Sequence, residues 1–383
     1  MREVSEDALL EELRAWVGIE SPTDRPDQVN RLADLAEARL RAMGAAIERT
    51  PGRDGCGDIL VGRIPGEGNG PGVLLLGHLD TVHAIGTLAA RNPWRVEGGR
   101  VYGPGAYDMK GGNVIAFGAL AHLHATGRRP KLPVTVMMVP DEEIGSPTSR
   151  AAIEAEGRRA RAVLVVEPSG GGGALTVARH GMARYGLRTT GVPAHAGAEH
   201  EKGRSAIREM AAQILAVEAM TDHARDVTLN VGTVTGGTFE NMVPMEARAT
   251  VYCRVPTAAD EAEVRARLTA LRPAFEGTGV EVTPGIYRPA FGVFPAVEAL
   301  YEHAAGLARE LGFEVAGKRV AGGGSDGNFT GALGVPTLDG LGVIGGGPHT
   351  HAEYVEVSSL VPRCRLLVRL FETLGPETPA LPA

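Results

Sequence analysis

The feature that most constrains the fold is a set of short apolar runs, at 58–64, 73–76, 133–139 and 162–166. Each is continuous and is cut off by Gly, Pro or charge. Runs this short read as strands buried on both faces. Helical stretches at 113–125 and 149–156 lie between them. Strands alternating with helices predict an α/β domain on a mixed, mostly parallel sheet flanked by helices. Two helices precede the sheet. One starts at Ser5, a good N-cap, and carries Leu9, Leu10, Leu13, Trp16 and Val17 on one side; the other covers 27–43 and stops at Gly44.

From residue 179 the rhythm changes. Strand patterns at 182–190, 227–234, 245–255 and 280–287 enclose helical patterns at 205–220 and 259–271. The order β-α-β-β-α-β predicts an inserted α+β, ferredoxin-like domain. After Pro289 the α/β pattern resumes, with a helix at 296–311, a glycine loop at 322–324, a strand at 335–341 and a helix at 357–374. The expected division is 1–178 and 288–383 for one domain, with 179–287 inserted. The tail, 375–383, is expected to fray.

Charge and cysteine usage exclude several function classes. Lys and Arg number 39 against 46 Asp and Glu, a net charge of −7, with no basic block. That argues against nucleic acid as a partner. No apolar run approaches the roughly 18–20 residues of a membrane span, so no membrane partner is expected. Cys56, Cys253 and Cys364 are widely spaced, which excludes a disulfide framework or a cysteine zinc site. The opening MREVSEDALLEEL is acidic and amphipathic, unlike a secretory leader, and the expected location is the cytoplasm.

The candidate ligands fall where the strands end. His78 and Asp80 follow the run at 73–76, in GHLDTV. Glu142 and Glu143 follow 133–139, in PDEEIGS. Glu167 follows 162–166, in VVEPS, and Asp108 sits in YGPGAYDMKGG at the start of a helix. In an open α/β sheet the carboxyl ends of the strands form the ligand crevice. Singly, each of these is commonplace. Together they bring acids to one edge without a counter-charge, and a cation removes the repulsion. Histidine with carboxylate oxygens suits Zn²⁺, with Mn²⁺ or Co²⁺ as alternatives. On an extended segment Glu142 and Glu143 point opposite ways, so one can hold metal while the other faces a water.

These stretches, with EPS, AHAG, NMVP, RPAF, GGGSDGNF and HTHAEY, occur in order from about residue 70 to 365. The set resembles the M20 family of dinuclear zinc peptidases and deacylases, nearest its glutamate carboxypeptidase branch. The resemblance implies two Zn²⁺, with Co²⁺ or Mn²⁺ as substitutes. It implies that Asp108 bridges them, that His78 and Glu167 complete one site, and that Glu143 and His349 complete the other. Glu142 is then the general base and acid, and Asp80 orients His78 through its other ring nitrogen. The peptide after Asp108 is expected to be cis. His351 stands where the family usually has Pro; the spacing to Glu353 selects His349 as ligand and leaves His351 at the surface.

The resemblance also implies substrate contacts. Arg288 pairs with a substrate carboxylate. His195 stabilises the oxyanion from a partner subunit, Asn241 touches the substrate, and Gly323 and Ser325 border the pocket. A homodimer through the inserted domain follows. The expected activity is hydrolysis of an amide next to a C-terminal carboxylate, on a small peptide or N-acyl L-glutamate. The alternatives are a deacylase for acetylated or succinylated amino acids and, more remotely, a non-catalytic binding protein. His83, His122, His124, His180, His200, His223 and His303 have no partner that the sequence identifies.

Overall fold

In the computed structural model, which describes residues 4–376 and 378, the apolar runs become the strands of one sheet. These are β1 (Ala46–Thr50), β2 (Ile59–Ile64), β3 (Val73–His78), β4 (Val134–Val139), β5 (Ala162–Val165) and β6 (Thr337–Leu338). Their spatial order is β1-β2-β4-β3-β5-β6. β3 pairs in parallel with β4 and β5, and β6 in parallel with β5. Only β2 runs against the rest, antiparallel to both β1 and β4.

Both faces are covered, which explains the unbroken apolar runs. Alternate residues of β3 divide between the two faces. Leu75 joins a core with Leu13, Trp16, Phe117, Leu300 and Leu367, from helices Glu6–Val17, Gly111–Ala125, Pro295–Glu310 and Val357–Thr373. Leu74 and Leu76 join Met137, Val163, Ile153 and Phe329, under helices Arg150–Arg159 and Gly327–Ala332. The expected strand at 335–341 shrinks to Thr337–Leu338, because the chain turns at Gly340, where φ is +71°.

A second, antiparallel sheet escaped the sequence reading. It orders Gly345–Gly346, Tyr354–Glu356, Arg100–Tyr102 and Arg95–Glu97. Strands of two or three residues carry too little pattern to detect. This small sheet matters because one candidate-bearing loop leaves Arg100–Tyr102 and another enters Tyr354–Glu356.

The chain divides into two compact units. The second comprises Arg179–Phe291 with Gly322–Gly324; the first takes in the rest. The later boundary falls beyond 287 because Arg179 and Phe291 exchange backbone hydrogen bonds of 3.1 Å in both directions. In the second unit the strands order Thr228–Gly236, Glu246–Val255, Gly181–Thr190 and Gly279–Arg288, all antiparallel. Helices Ala206–Glu218 and Ala258–Thr269 pack on one face, capped by Ser205 and Thr257, whose hydroxyls accept from Arg208 and Asp260 N–H. Tyr185, Leu187, Met210, Val217, Val251 and Leu268 form its core. Among the described residues no helix is long and apolar enough to cross a membrane. Residues 377 and 379–383 of the tail expected to fray lie outside the described residues.

Candidate metal centre

β3 delivers His78 to the carboxyl edge of the sheet, 1% exposed. Its Nδ1 lies 2.9 Å from the Asp80 carbonyl oxygen and 3.5 Å from Asp80 Oδ1. A carbonyl only accepts, so Nδ1 donates and Nε2 is the atom presented to the carboxylates. Nε2 stands 3.2 Å from Asp108 Oδ1 and 3.9 Å from Glu167 Oε1. The backbone is fixed as well, since Asn113 Nδ2 donates to the His78 carbonyl at 2.7 Å.

Asp80 does more than the sequence suggested. Its main-chain oxygen orients His78. Its buried carboxylate accepts from Thr23 Oγ1 at 2.7 Å and from the N–H groups of Glu142 and Glu143, both at 3.1 Å. Asp80 therefore clamps the turn that carries two other candidates. Asp141, fully buried, fastens the same turn on its far side. It accepts from Thr148 N and Oγ1, both at 2.7 Å, and from Ser149.

Glu142–Ile144 is one turn of 3₁₀ helix, not an extended segment. The strand alternation expected to separate Glu142 from Glu143 therefore does not apply. The two carboxylates nonetheless join different groups. His78, Glu142 and Glu167 bring ligand atoms within 4.8 Å of one another, and so do His78, Asp108 and Glu143.

Asp108 lies in the tight turn Ala106–Lys110, and its peptide bond to Met109 is cis. The turn leads into a helix whose start is pressed on the β5 exit: a Cβ on Gly112 would lie 1.9 Å from the Val166 carbonyl oxygen, so only glycine fits. This contact ties the Asp108 turn to the segment entering Glu167. Asp108 Oδ1 faces His78, and Oδ2 lies 3.4 Å from His349 Nε2. The same Nε2 is 3.2 Å from Glu143 Oε2. His349 comes from the hairpin turn before Tyr354, with φ +61° and a side chain 56% exposed.

The carboxylates crowd one another, and the two imidazoles offset part of that repulsion. Burial pushes the Glu167 carboxyl well above its ordinary range, with Asp108 adding to the effect. Glu143 is pushed up to about 7, mainly by burial. Asp108 resists its own burial and is held low by hydrogen bonds to His349 and His78. His349 is raised to about 10 by Asp108 and Glu143. Burial works against protonation of His78, yet Asp108, Asp80 and Glu167 raise it well above the ordinary value. Glu143 Oε1 is buried with no hydrogen-bond partner. An orphaned acceptor in a crowd of acids and imidazoles fits a divalent cation taking nitrogen and oxygen ligands.

The remaining expected residues fall as follows. Ser325 is fully buried; its hydroxyl donates to Asp339 Oδ2 at 2.6 Å and accepts from Gly327 N at 3.0 Å. The Ser325 hydroxyl is thus committed to partners within the first unit. His195, Asn241, Arg288 and Gly323 lie in the second unit. His195 is exposed. Its Nδ1 accepts from Gly197 N and Ala198 N at 3.2 and 3.1 Å, so the ring proton sits on Nε2. Asn241 is exposed beside it, its carbonyl accepting from Ala196 N at 2.9 Å. Arg288 is buried at the end of its strand, against Gly324, and the Gly323 carbonyl accepts from Arg179 Nη1 at 3.0 Å. His351 is exposed, as expected.

Sequence reasoning used Glu353 only as a spacing mark and did not see how it is bonded. Its carboxylate, fully buried, accepts from the N–H groups of Gly105, Tyr107 and Asp108 at 2.8–2.9 Å. His83, for which the sequence identified no partner, places Nε2 2.5 Å from Glu353 Oε2. The two residues are 270 positions apart, and no local pattern links them.

Residues 74–373 match the family model Peptidase family M20/M25/M40. The chain is 34% identical to carboxypeptidase G2 of Pseudomonas sp. (strain RS-16) over 379 residues, covering 96% of this chain and 89% of that one. It is 32% identical to acetylornithine deacetylase of Myxococcus xanthus over 294 residues, 70% of this chain and 74% of that one. Among solved structures, aminopeptidase PepT from Bacillus cereus ATCC 10987 matches with a TM-score of 0.76 at 23% identity, over 96% of this chain and 98% of that one, a likeness of fold. The chain therefore belongs to peptidase family M20/M25/M40 and is a metal-dependent hydrolase of the peptidase and amidohydrolase kind.

Proposed function

We propose that this protein is a dinuclear zinc carboxypeptidase that hydrolyses the amide bond next to a C-terminal carboxylate, with glutamyl peptides or N-acyl L-glutamates as substrates. One observation carries the reading: Asp108 turns one carboxylate oxygen toward His78 and the other toward His349, which suits a carboxylate shared by two cations. The 34% identity to a protein named carboxypeptidase G2 supports the choice of substrate class.

In this reading His78 and Glu167 would hold one Zn²⁺, Glu143 and His349 would hold the other, and Asp108 would be shared between them. Metals held there would supply Lewis-acid polarisation of the scissile carbonyl and would acidify a water for attack at neutral pH. Glu142 accepts a proton from the attacking water at its carboxylate and passes it to the leaving amide nitrogen. Asp80 keeps the Glu142–Glu143 turn in register for both roles. His195 donates from Nε2 to the developing oxyanion, and Arg288 forks onto the substrate carboxylate. Asn241 and Gly323 complete the proposed contacts, and a homodimer is the proposed assembly.

The 32% identity to an acetylornithine deacetylase favours a second reading, removal of an acyl group from an amino acid. One experiment separates the two. The protein is stripped with a chelator, reloaded with Zn²⁺ or Co²⁺, and assayed against glutamyl dipeptides, N-acyl glutamates and acetylornithine. Cleavage of the glutamate compounds by the reloaded form alone supports the proposal. Turnover of acetylornithine without glutamyl cleavage transfers the protein to the deacylases. Saturable binding of a substrate analogue with no turnover leaves only a binding protein.

A further inference from the structure

We infer that Glu353, paired with His83, is the positioning residue of the candidate metal bridge: one buried carboxylate holds the Asp108 turn against the hairpin that carries His349. The inference rests on the reading of Asp108 as a bridging ligand. Its evidence is separate, in the backbone donors of residues 105–108.

Those donors converge. Glu353 Oε1 accepts from Tyr107 N at 2.9 Å and Asp108 N at 2.8 Å. Oε2 accepts from Gly105 N at 2.9 Å and stands 2.5 Å from His83 Nε2. A carboxylate offers about four lone-pair sites, and here four donors use them. Three N–H groups of one tight turn thus end on a single side chain from far along the chain. The backbone of Glu353 is itself held, since Asn92 Nδ2 donates to its carbonyl at 3.1 Å.

The location explains the consequence. Tyr354 pairs with Tyr102 and Val355 with Val101 in the small sheet. The Asp108 turn leaves the first of these strands, and the turn bearing His349 runs directly into the second. Glu353 sits where the two meet. It sets the position of Asp108 relative to His349, and the same bond to Asp108 N sets Oδ1 relative to His78. A residue that merely stabilised the fold would not govern both ligand pairs.

The test is a Co²⁺ titration of chelator-stripped protein, followed by visible absorption, on wild type, Glu353→Gln, His83→Ala, His83→Gln and His349→Ala. Glutamine keeps the shape of Glu353 but turns an NH₂ toward backbone donors. We expect Glu353→Gln to weaken both cobalt sites by about 10–100-fold, the range for lost outer-shell support of a ligand. His349→Ala should weaken only one. His83→Gln, which keeps a side-chain N–H donor, should recover most of what His83→Ala loses. Near-UV circular dichroism of the stripped proteins reports folding. A folded Glu353→Gln variant that binds two cobalt ions as wild type does, even with a lowered melting temperature, overturns the inference. If that variant does not fold, the His83 pair decides: wild-type affinity in His83→Ala overturns it, and loss rescued by His83→Gln supports it. If wild type takes up no cobalt while remaining folded, the metal-centre reading fails, and this inference with it.

Discussion

The two units of the chain use buried carboxylates in the same way and to different ends. In the second unit Glu209, fully buried, accepts from Ala274 N, Phe275 N, Thr278 Oγ1 and Gln213 Nε2. It staples a loop that carries none of the candidate ligands. In the first unit Asp80, Asp141 and Glu353 do the same for the loops that present Glu142, Glu143 and Asp108. Burying an acid is costly unless its lone pairs are filled, and backbone N–H groups fill them in both units. A satisfied buried acid is therefore a fold device. What distinguishes the first unit is the next layer inward, where Glu143 Oε1 has no partner and Glu167 is driven toward protonation by its surroundings.

The largest effect should come from that inner layer. Glu142→Gln should lower kcat by about 10³-fold, within the range for loss of a general acid–base. Cobalt stoichiometry should stay at the wild-type value. The ligand atoms of His78, Glu142 and Glu167 all lie within 4.8 Å of one another, so this measurement decides between base and ligand. Loss of one equivalent of metal along with activity would make Glu142 a ligand.

His195→Ala should cost about 10²-fold in kcat, as removal of one oxyanion donor does. The Nδ1 of this ring is already engaged by two backbone N–H groups, so only Nε2–H is available to donate. Unchanged turnover rejects the role. Asp80→Asn should cost roughly tenfold in metal affinity, the low end for lost support of ligands. It keeps the shape of the side chain but offers an NH₂ group where the carboxylate accepts from Glu142 and Glu143 N–H. Metal affinity equal to wild type would show that the turn is set by Asp141 alone.

Much of this site was legible in the chain, for a physical reason. Strands buried on both faces announce themselves as unbroken apolar runs, and a parallel sheet gathers whatever follows them. That logic singled out His78, Glu142, Glu143 and Glu167 from position alone, and the fold places their ligand atoms close together. Asp108 was singled out by the glycine-rich stretch that opens a helix, whereas His349 was reached through a resemblance of motifs, because the strand beside it, Gly345–Gly346, is too short to carry a period. The burial of Ser325 was hidden for a related reason: a polar residue after three glycines reads as a binding loop, and nothing local shows that its hydroxyl is bonded to Asp339. The Glu353–His83 pair spans 270 positions, and nothing local in the chain connects two residues so far apart.

The smallest expected effect on activity tests the outer layer alone. Burial works to raise the Glu209 carboxyl, but hydrogen bonds from Ala274 N, Gln213, Thr278 and Phe275 N outweigh it and hold the group below its ordinary range. The unfolded chain therefore binds the proton more readily than the folded one. Stability from Glu209 is complete above the ordinary carboxyl pKa of about 4.3 and is lost as pH falls through the lower, folded value. Glu209→Gln should destabilise the second unit by about 1–3 kcal/mol at pH 7, the cost of leaving buried donors unpaired. Amide hydrogen exchange at Ala274 and Phe275 reads this directly, and kcat measured on the folded fraction should change less than about twofold, since Glu209 is no proposed substrate contact. The gap between wild type and variant should hold from pH 7 to 5 and narrow toward pH 3. A gap that widens on acidification would mean that the charged form of Glu209 is not what the second unit is built to hold.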